Sequence, residues 1–231
     1  MIKIVHLYPK EMNIYGDTGN RLVLEKRLEW RGIPYEVVLV GIGDSLPHDA
    51  SIIIGGGGQD AGQGLVESDL KNKAVTLKNM AEDGVVMLMI CGMYQLLGDA
   101  FITSADVTIK GAGVLPMFTQ AGDKRFIGNT IVKTPFGELV GYENHSGRTY
   151  LEDGCLPLGI VKKGAGNNGE DKTEGARLHN VFGSYMHGPM LSKNPHFADE
   201  LLKLALGKDT LEPLNDNLET MAHNLAAKRP R

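Results

Sequence analysis

The stretch Val85-Val86-Met87-Leu88-Met89-Ile90-Cys91-Gly92-Met93-Tyr94-Gln95-Leu96-Leu97 decides how this chain is read. Its first six residues are apolar without alternation, the pattern of a strand covered on both faces. Helical periodicity begins at Tyr94, so Cys91-Gly92 sits at a strand-turn-helix elbow. In open α/β folds such an elbow holds its residue at the carboxyl end of the sheet, where ligands bind. It also aims the first N–H groups of the helix at the sulfur, a setting that favours a thiolate. Free cysteine is equally often a small buried hydrophobe, and the elbow alone leaves both readings of Cys91 open.

Outward from the elbow, apolar runs bounded by glycine or proline alternate with helical segments. Strands are expected at residues 2–8, 35–40, 51–54 and 85–90, and helices at 20–30 and 65–80. That alternation predicts an α/β fold with a mostly parallel sheet and helices on both faces. After Gly98 the texture changes to β-rich pieces at 126–133, 137–142 and 181–187, with turns at Gly122-Asp123 and Asn167-Asn168-Gly169. Residues 164–175 hold almost nothing apolar and read as a surface loop. A helix over 195–206 follows Asn194 as its cap, and an amphipathic helix over 211–227 runs into the basic tail Lys228-Arg229-Pro230-Arg231. One domain over residues 1–207 is expected, followed by a C-terminal helix and tail over 208–231.

Composition excludes several classes. The chain has 231 residues, enough to bury roughly 70–75% of its unfolded surface, and 42% of them are hydrophobic. A net charge of −4 has the wrong sign for holding phosphate backbones, so nucleic acid is not an expected partner. The apolar run before Cys91 is far short of the roughly 20 residues that cross a bilayer. The N-terminus lacks the pattern of a signal peptide, and a cytoplasmic location is expected. Two cysteines, Cys91 and Cys155, make no disulfide framework and no zinc pattern.

A nucleophilic cysteine needs a base. His187, in Gly183-Ser184-Tyr185-Met186-His187-Gly188-Pro189, ends an expected strand before a turn, with His145 and His179 as rivals. The strand Ile52-Ile53-Ile54 runs into Gly55-Gly56-Gly57-Gly58, which lets backbone amides approach a ligand. It is neither a P-loop nor a Rossmann fingerprint. Beside the elbow it can supply one donor of an oxyanion hole, with Gly92 as the other.

Five segments carry a resemblance: Asn13-Ile14-Tyr15-Gly16-Asp17-Thr18-Gly19-Asn20, Gly56-Gly57-Gly58-Gln59-Asp60, Ile90-Cys91-Gly92-Met93-Tyr94-Gln95, residues 141–150 (Gly-Tyr-Glu-Asn-His-Ser-Gly-Arg-Thr-Tyr), and the His187 segment. Together they resemble class I-like, triad-type glutamine amidotransferases of the cobyric acid synthase branch. Within that branch they are most similar to the GatD group, the glutaminase subunits of lipid II isoglutaminyl synthase. The resemblance spans about residues 2–206, and it implies a flavodoxin-like fold of the class I glutamine amidotransferases.

Carried over residue by residue, the resemblance makes Cys91 the nucleophile and His187 its general base, with Gly57 or Gly58 and Gly92 at the oxyanion. It makes Arg125 the glutamine-binding arginine, a bidentate clamp for the α-carboxylate, and places Asp17 near the cysteine in a supporting role. The implied partner is a MurT-like Mur ligase subunit in a heterodimer, which takes ammonia and amidates D-glutamate of lipid II. No cofactor or metal is expected in this chain; ATP with magnesium, and zinc, belong to the partner. Three departures stand out. Pro189 occupies the position where ordinary class I members carry a glutamate two residues after the histidine, Met93 replaces a glycine, and Ala61-Gly62 replaces more highly charged residues. A corrin-amidating amidotransferase subunit and a non-catalytic regulatory module on the same fold are the alternative readings.

Overall fold

The strand before Cys91 is buried at every residue. The structure is a computed structural model that describes residues 1–230. In chain order it comprises β1 (Ile2–Leu7), α1 (Thr18–Trp30), β2 (Tyr35–Val40), β3 (Ile52–Gly55), α2 (Asp60–Glu82), β4 (Val86–Ile90) and α3 (Gly92–Leu97). Then follow β5 (Ala100–Ile102), β6 (Thr108–Lys110), β7 (Met117–Thr134), β8 (Gly137–Leu151), β9 (Gly159–Lys163), β10 (Thr173–Glu174), β11 (Ala176–Leu178), β12 (Val181–Ser184) and β13 (Met186–His187). A 3₁₀ turn (Met190–Lys193), α4 (Pro195–Leu206) and α5 (Asn217–Ala227) close the chain.

The first sheet has the order β11-β12-β4-β3-β1-β2, parallel except for the edge strand β11. Its parallel part is the flavodoxin-like order, with β4 and β3 delivering their carboxyl ends side by side. All residues of β3 and β4 are buried, and each fully buried isoleucine or leucine contributes about 1.5–3 kcal/mol. The second sheet is built on the long β7–β8 hairpin, with β5, β6, β9 and β10 on the β7 side and β13 on β8. Only Tyr185 separates β12, in the first sheet, from β13, in the second. His187 is therefore delivered at the seam of the two sheets.

Several local expectations change. The helix expected from residue 65 begins at Asp60; Gly62 and Gly64 lie in its first turns, where the buried Gln63 donates to the Gly92 carbonyl at 3.2 Å and to Gln95 Oε1 at 2.8 Å. The expected turn at Gly122-Asp123 is instead a bulge inside β7, where Ala121 pairs Gly147 and Phe126 pairs His145, so residues 122–125 swing out of register. The expected surface loop at 164–175 is anchored inward. Asn167 is fully buried, accepting from Tyr94 Oη at 3.0 Å and donating to the Gly175 carbonyl at 2.9 Å. Low hydrophobicity misled here because asparagine side chains satisfy a buried loop as well as water does. Asn194 precedes α4 but makes no side-chain cap; it bonds both backbone groups of Val140 and so pins β8.

The last helix starts at Asn217, not at 211, because Pro213 and the strap before it run irregularly over α1. Arg27, 1% exposed, holds that strap, donating to Asp199 of α4 and to Asp216 at 2.6–2.8 Å. Removing one partner of a buried charge set like this typically costs about 3–5 kcal/mol. Of the basic tail, the Arg229 and Pro230 carbonyls accept from Lys163 and Asn129, and Arg231 lies outside the described residues. Among the described residues no helix is long and apolar enough to cross a membrane.

Candidate active site

Cys91 stands at the elbow between β4 and α3 with φ 50° and ψ −102°. A non-glycine residue there carries about 1–3 kcal/mol of backbone strain, which persists only when the surroundings over-determine it. They do so here. The Cys91 N–H donates to the Ser184 carbonyl at 2.8 Å, and the Met93 N–H donates to the Gly56 carbonyl at 3.2 Å. Gly92 is required, since a Cβ there would lie 2.7 Å from the Gly58 nitrogen.

The loop between β1 and α1 closes over the glycine run. The Ile14 N–H donates to the Gly57 carbonyl at 3.1 Å. Asp17, fully buried at the start of α1, accepts the Gly57 N–H on Oδ2 at 2.8 Å, and its Oδ1 lies 3.3 Å from His187 Nδ1. A carboxylate can only accept, so Nδ1 carries the proton and points it at Asp17. Nε2 of His187 is then buried, with no hydrogen-bond partner other than the neighbouring Cys91 thiol. Burial pulls the His187 pKa down, but hydrogen bonding to Asp17 and Cys91 and the charges of both outweigh it and hold the ring at about 9. The thiol and the imidazole are thus neighbours.

The position two residues after the histidine is Pro189, and the structure shows what takes its place. Pro189 packs on Gly19 in the first turn of α1, and the Leu191 N–H donates to Asn20 Oδ1 at 3.0 Å. These contacts press the His187 strand against the helix start that carries Asp17. The carboxylate at the ring therefore comes from the start of α1, 170 positions before the histidine.

The N–H groups expected at an oxyanion differ in what they bond. The Gly57 N–H is occupied by Asp17, whereas the N–H groups of Gly58 and Gly92 have no acceptor among the described residues. Met93 stands outside the pocket lining. It is fully buried beneath β3, where a Cβ on Gly55 would lie 2.8 Å from its Cγ.

The pocket at Cys91 is lined by Gly58, Asp60, Gln95, Arg125 and His145 among others. Arg125 lies in the β7 bulge, exposed, its Nε donating to Asn144 Oδ1 at 2.6 Å and its Nη2 to Tyr15 Oη at 3.0 Å. Tyr15 in turn packs on His187 with ring centroids 4.4 Å apart, so one tyrosine joins the arginine to the histidine. Sequence reasoning quoted Tyr15 inside a motif without giving it a role. It equally missed Arg148, whose guanidinium stacks on Phe126 at 3.5 Å and donates to the Lys124 carbonyl at 2.5 Å, fixing the bulge. It missed Glu174 as well, which accepts the Tyr185 N–H at 2.7 Å and braces the crossing between sheets; burial pushes its pKa up to about 7. Glutamate 174 sits in a glycine-rich polar stretch, where nothing in the sequence signals burial.

Of the other candidates, Cys155 and His179 fall outside the pocket lining. Cys155 lies in the loop before β9, its thiol pushed up to about 11 by burial. His179 sits at positive φ in the turn between β11 and β12. His145 is at the pocket, 2% exposed, but burial keeps its ring neutral with a pKa of about 3, too weak for a base at neutral pH.

Known proteins sharpen this picture. Residues 3–195 match the model of the CobB/CobQ-like glutamine amidotransferase domain. The chain is 39% identical over 206 residues to the lipid II isoglutaminyl synthase (glutamine-hydrolyzing) subunit GatD of Staphylococcus aureus, covering 88% of this chain and 84% of that one. The subunit of the same name from Streptococcus pneumoniae is 41% identical over 211 residues, covering 90% and 81%. Among solved structures, PurLQS from Thermotoga maritima superposes with a TM-score of 0.62 at 20% identity, covering 89% of this chain and 98% of that one, a likeness of fold.

Proposed function

The chain belongs to the CobB/CobQ-like glutamine amidotransferase family, and from that premise we propose that it is the glutaminase subunit of a lipid II isoglutaminyl synthase. The observation that carries the chemistry is a strained elbow cysteine beside a buried imidazole whose proton is aimed at a buried carboxylate. His187 Nε2 takes the proton of the Cys91 thiol as the sulfur adds to the side-chain amide carbon of glutamine and the carbonyl electron pair moves onto oxygen. The N–H groups of Gly58 and Gly92 hold the developing oxyanion, and donors preorganised in this way are worth roughly 10²–10³-fold each. His187 Nε2 gives its proton to the departing nitrogen, and ammonia leaves as the thioester forms. Water attacks the thioester while Nε2 takes its proton, releasing glutamate and the thiol. Asp17 holds the ring with Nδ1 protonated and balances its charge throughout, while Arg125 clamps the substrate α-carboxylate.

Ammonia released into water is lost to the reaction, so the glutaminase serves an acceptor subunit. The names of the S. aureus and S. pneumoniae relatives support a synthase that amidates lipid II. The partner in this reading is a MurT-like Mur ligase, which activates the α-carboxylate of D-glutamate with ATP and magnesium, carries the zinc, and makes D-isoglutamine. Both work in the cytoplasm as a heterodimer, with residues 1–207 as the amidotransferase domain and residues 208–231 as an appended helix and tail. The test is co-expression with such a ligase, followed by ATP-dependent amidation of lipid II with glutamine as nitrogen donor. A chain that does not co-purify, or a complex that amidates only with free ammonia, overturns this reading.

A further inference from the structure

The mechanism leaves one buried polar atom at the pocket unused. The ring of His145 lies flat on Tyr185, with centroids 3.6 Å apart and planes 4° from parallel. Tyr185 is itself fixed, its hydroxyl accepting from Gln95 Nε2 at 3.1 Å and sharing a hydrogen with Thr149 Oγ1 at 2.7 Å. On one edge of the imidazole, Nδ1 lies 2.9 Å from the Gly147 carbonyl. A carbonyl can only accept, so Nδ1 bears the hydrogen. Burial, reinforced by the nearby positive charges of Arg148 and Arg125, keeps the ring neutral. The other nitrogen, Nε2, is consequently a lone-pair acceptor, and it is buried without a partner in a residue that lines the Cys91 pocket. An acceptor left unpaired in this way costs about 1–3 kcal/mol, a cost that a ligand N–H would remove.

The position of the ring indicates which N–H. His145 pairs directly with Phe126 across the β7–β8 hairpin, so it neighbours Arg125, which grips the adjacent Asn144. The glutamine α-carboxylate at Arg125 brings the α-ammonium, bonded to the same carbon, to that end of the pocket, while the side-chain amide reaches Cys91. Building on the glutaminase reading, we propose that His145 Nε2 accepts a hydrogen bond from the α-ammonium of bound glutamine, making His145 the residue that selects an α-amino acid over a plain acid amide. A neutral ring is what this role needs, because an imidazolium would repel the ammonium.

The experiment compares glutamine with glutaramic acid, which is glutamine without its α-amino group, in glutaminase assays of the full chain with its ligase subunit. His145→Phe keeps a ring to stack on Tyr185 and loses the acceptor. Its kcat/KM for glutamine should fall about 10–100-fold, mostly through KM, as for a lost hydrogen bond to a charged group. Its kcat/KM for glutaramic acid should stay within about twofold, and His145→Gln, which retains an acceptor, should recover part of the selectivity. An equal fall for both substrates, or no change for glutamine, overturns the inference and leaves the glutaminase reading standing. A wild-type complex that does not hydrolyse glutamine overturns both. Should His145→Phe not fold, ¹⁵N NMR of Cys91→Ser protein with the native His145 decides: the Nε2 signal should shift on adding glutamine and not on adding glutaramic acid, and equal responses overturn the proposal.

Discussion

Two imidazoles flank Cys91, and their fates are opposite. His187 and His145 are 3% and 2% exposed, and they sit on strands paired to one another. The first is raised to about 9 and the second lowered to about 3. Burial acts on both in the same direction, so it cannot be what separates them. The difference is in the groups around each ring: a carboxylate 3.3 Å from Nδ1 and the Cys91 sulfur for His187, against a neutral carbonyl 2.9 Å from Nδ1 and the charges of Arg148, His187 and Arg125 for His145. An anion beside the ring stabilises imidazolium, while a carbonyl fixes a tautomer without supplying enough charge to offset desolvation. One site thus holds a ring that favours the charged form and a ring kept neutral, set apart by the groups around them.

The strongest way to break that comparison is to remove what the proton carrier serves. Cys91→Ser should reduce ammonia release from glutamine to background in a coupled glutamate assay with an unchanged melting curve, whereas Cys155→Ser should match wild type. His187→Ala should lose about 10²–10⁴-fold in kcat, with His179→Ala, and His196→Ala in the first turn of α4, near wild type. If all three histidine variants fail with intact melting curves, the base has been misassigned. Asp17→Asn sharpens the contrast, since it leaves the packing and removes the anion. Turnover should fall by about 10–100-fold, and the His187 ring followed by NMR should titrate at least about one unit below its wild-type value. Arg125→Ala should raise KM for glutamine about tenfold with kcat little changed, as for a carboxylate clamp.

The smallest effect is on stability. A group whose folded pKa of about 9 exceeds its ordinary value of 6.5 stabilises the fold fully below pH 6.5, and that contribution fades as pH rises towards 9. The melting-temperature advantage of wild type over Asp17→Asn should therefore be greatest near pH 6 and shrink by pH 9. A constant gap across that range would place the Asp17 contribution in packing and not in the ion pair.

Much of this arrangement is legible in the chain because local pattern and fold agree. The unbroken apolarity of residues 85–90 placed Cys91 at a sheet end, and the glycine run placed an amide loop beside it. The Asp17–His187 contact was not legible, because the residues are 170 positions apart and the Pro189 departure removed the carboxylate that local spacing would have supplied. The choice between Gly57 and Gly58 was hidden for a related reason: which N–H is free depends on where a distant carboxylate docks. The buried Asn167 and Glu174 escaped notice because hydrogen bonds, and not hydrophobicity, place them inside. The role of His145 rests on a tautomer, which only the carbonyl of Gly147 reveals.

The central claim is that Cys91, served by His187, forms a covalent bond to the glutamyl group. Quenching the complex with acid during turnover of isotopically labelled glutamine, then mapping the peptides by mass spectrometry, tests it directly. The expected result is a glutamyl adduct on the Cys91 peptide that is absent from Cys91→Ser. Steady turnover with the label on the Cys155 peptide, or undiminished ammonia release from Cys91→Ser, would contradict it.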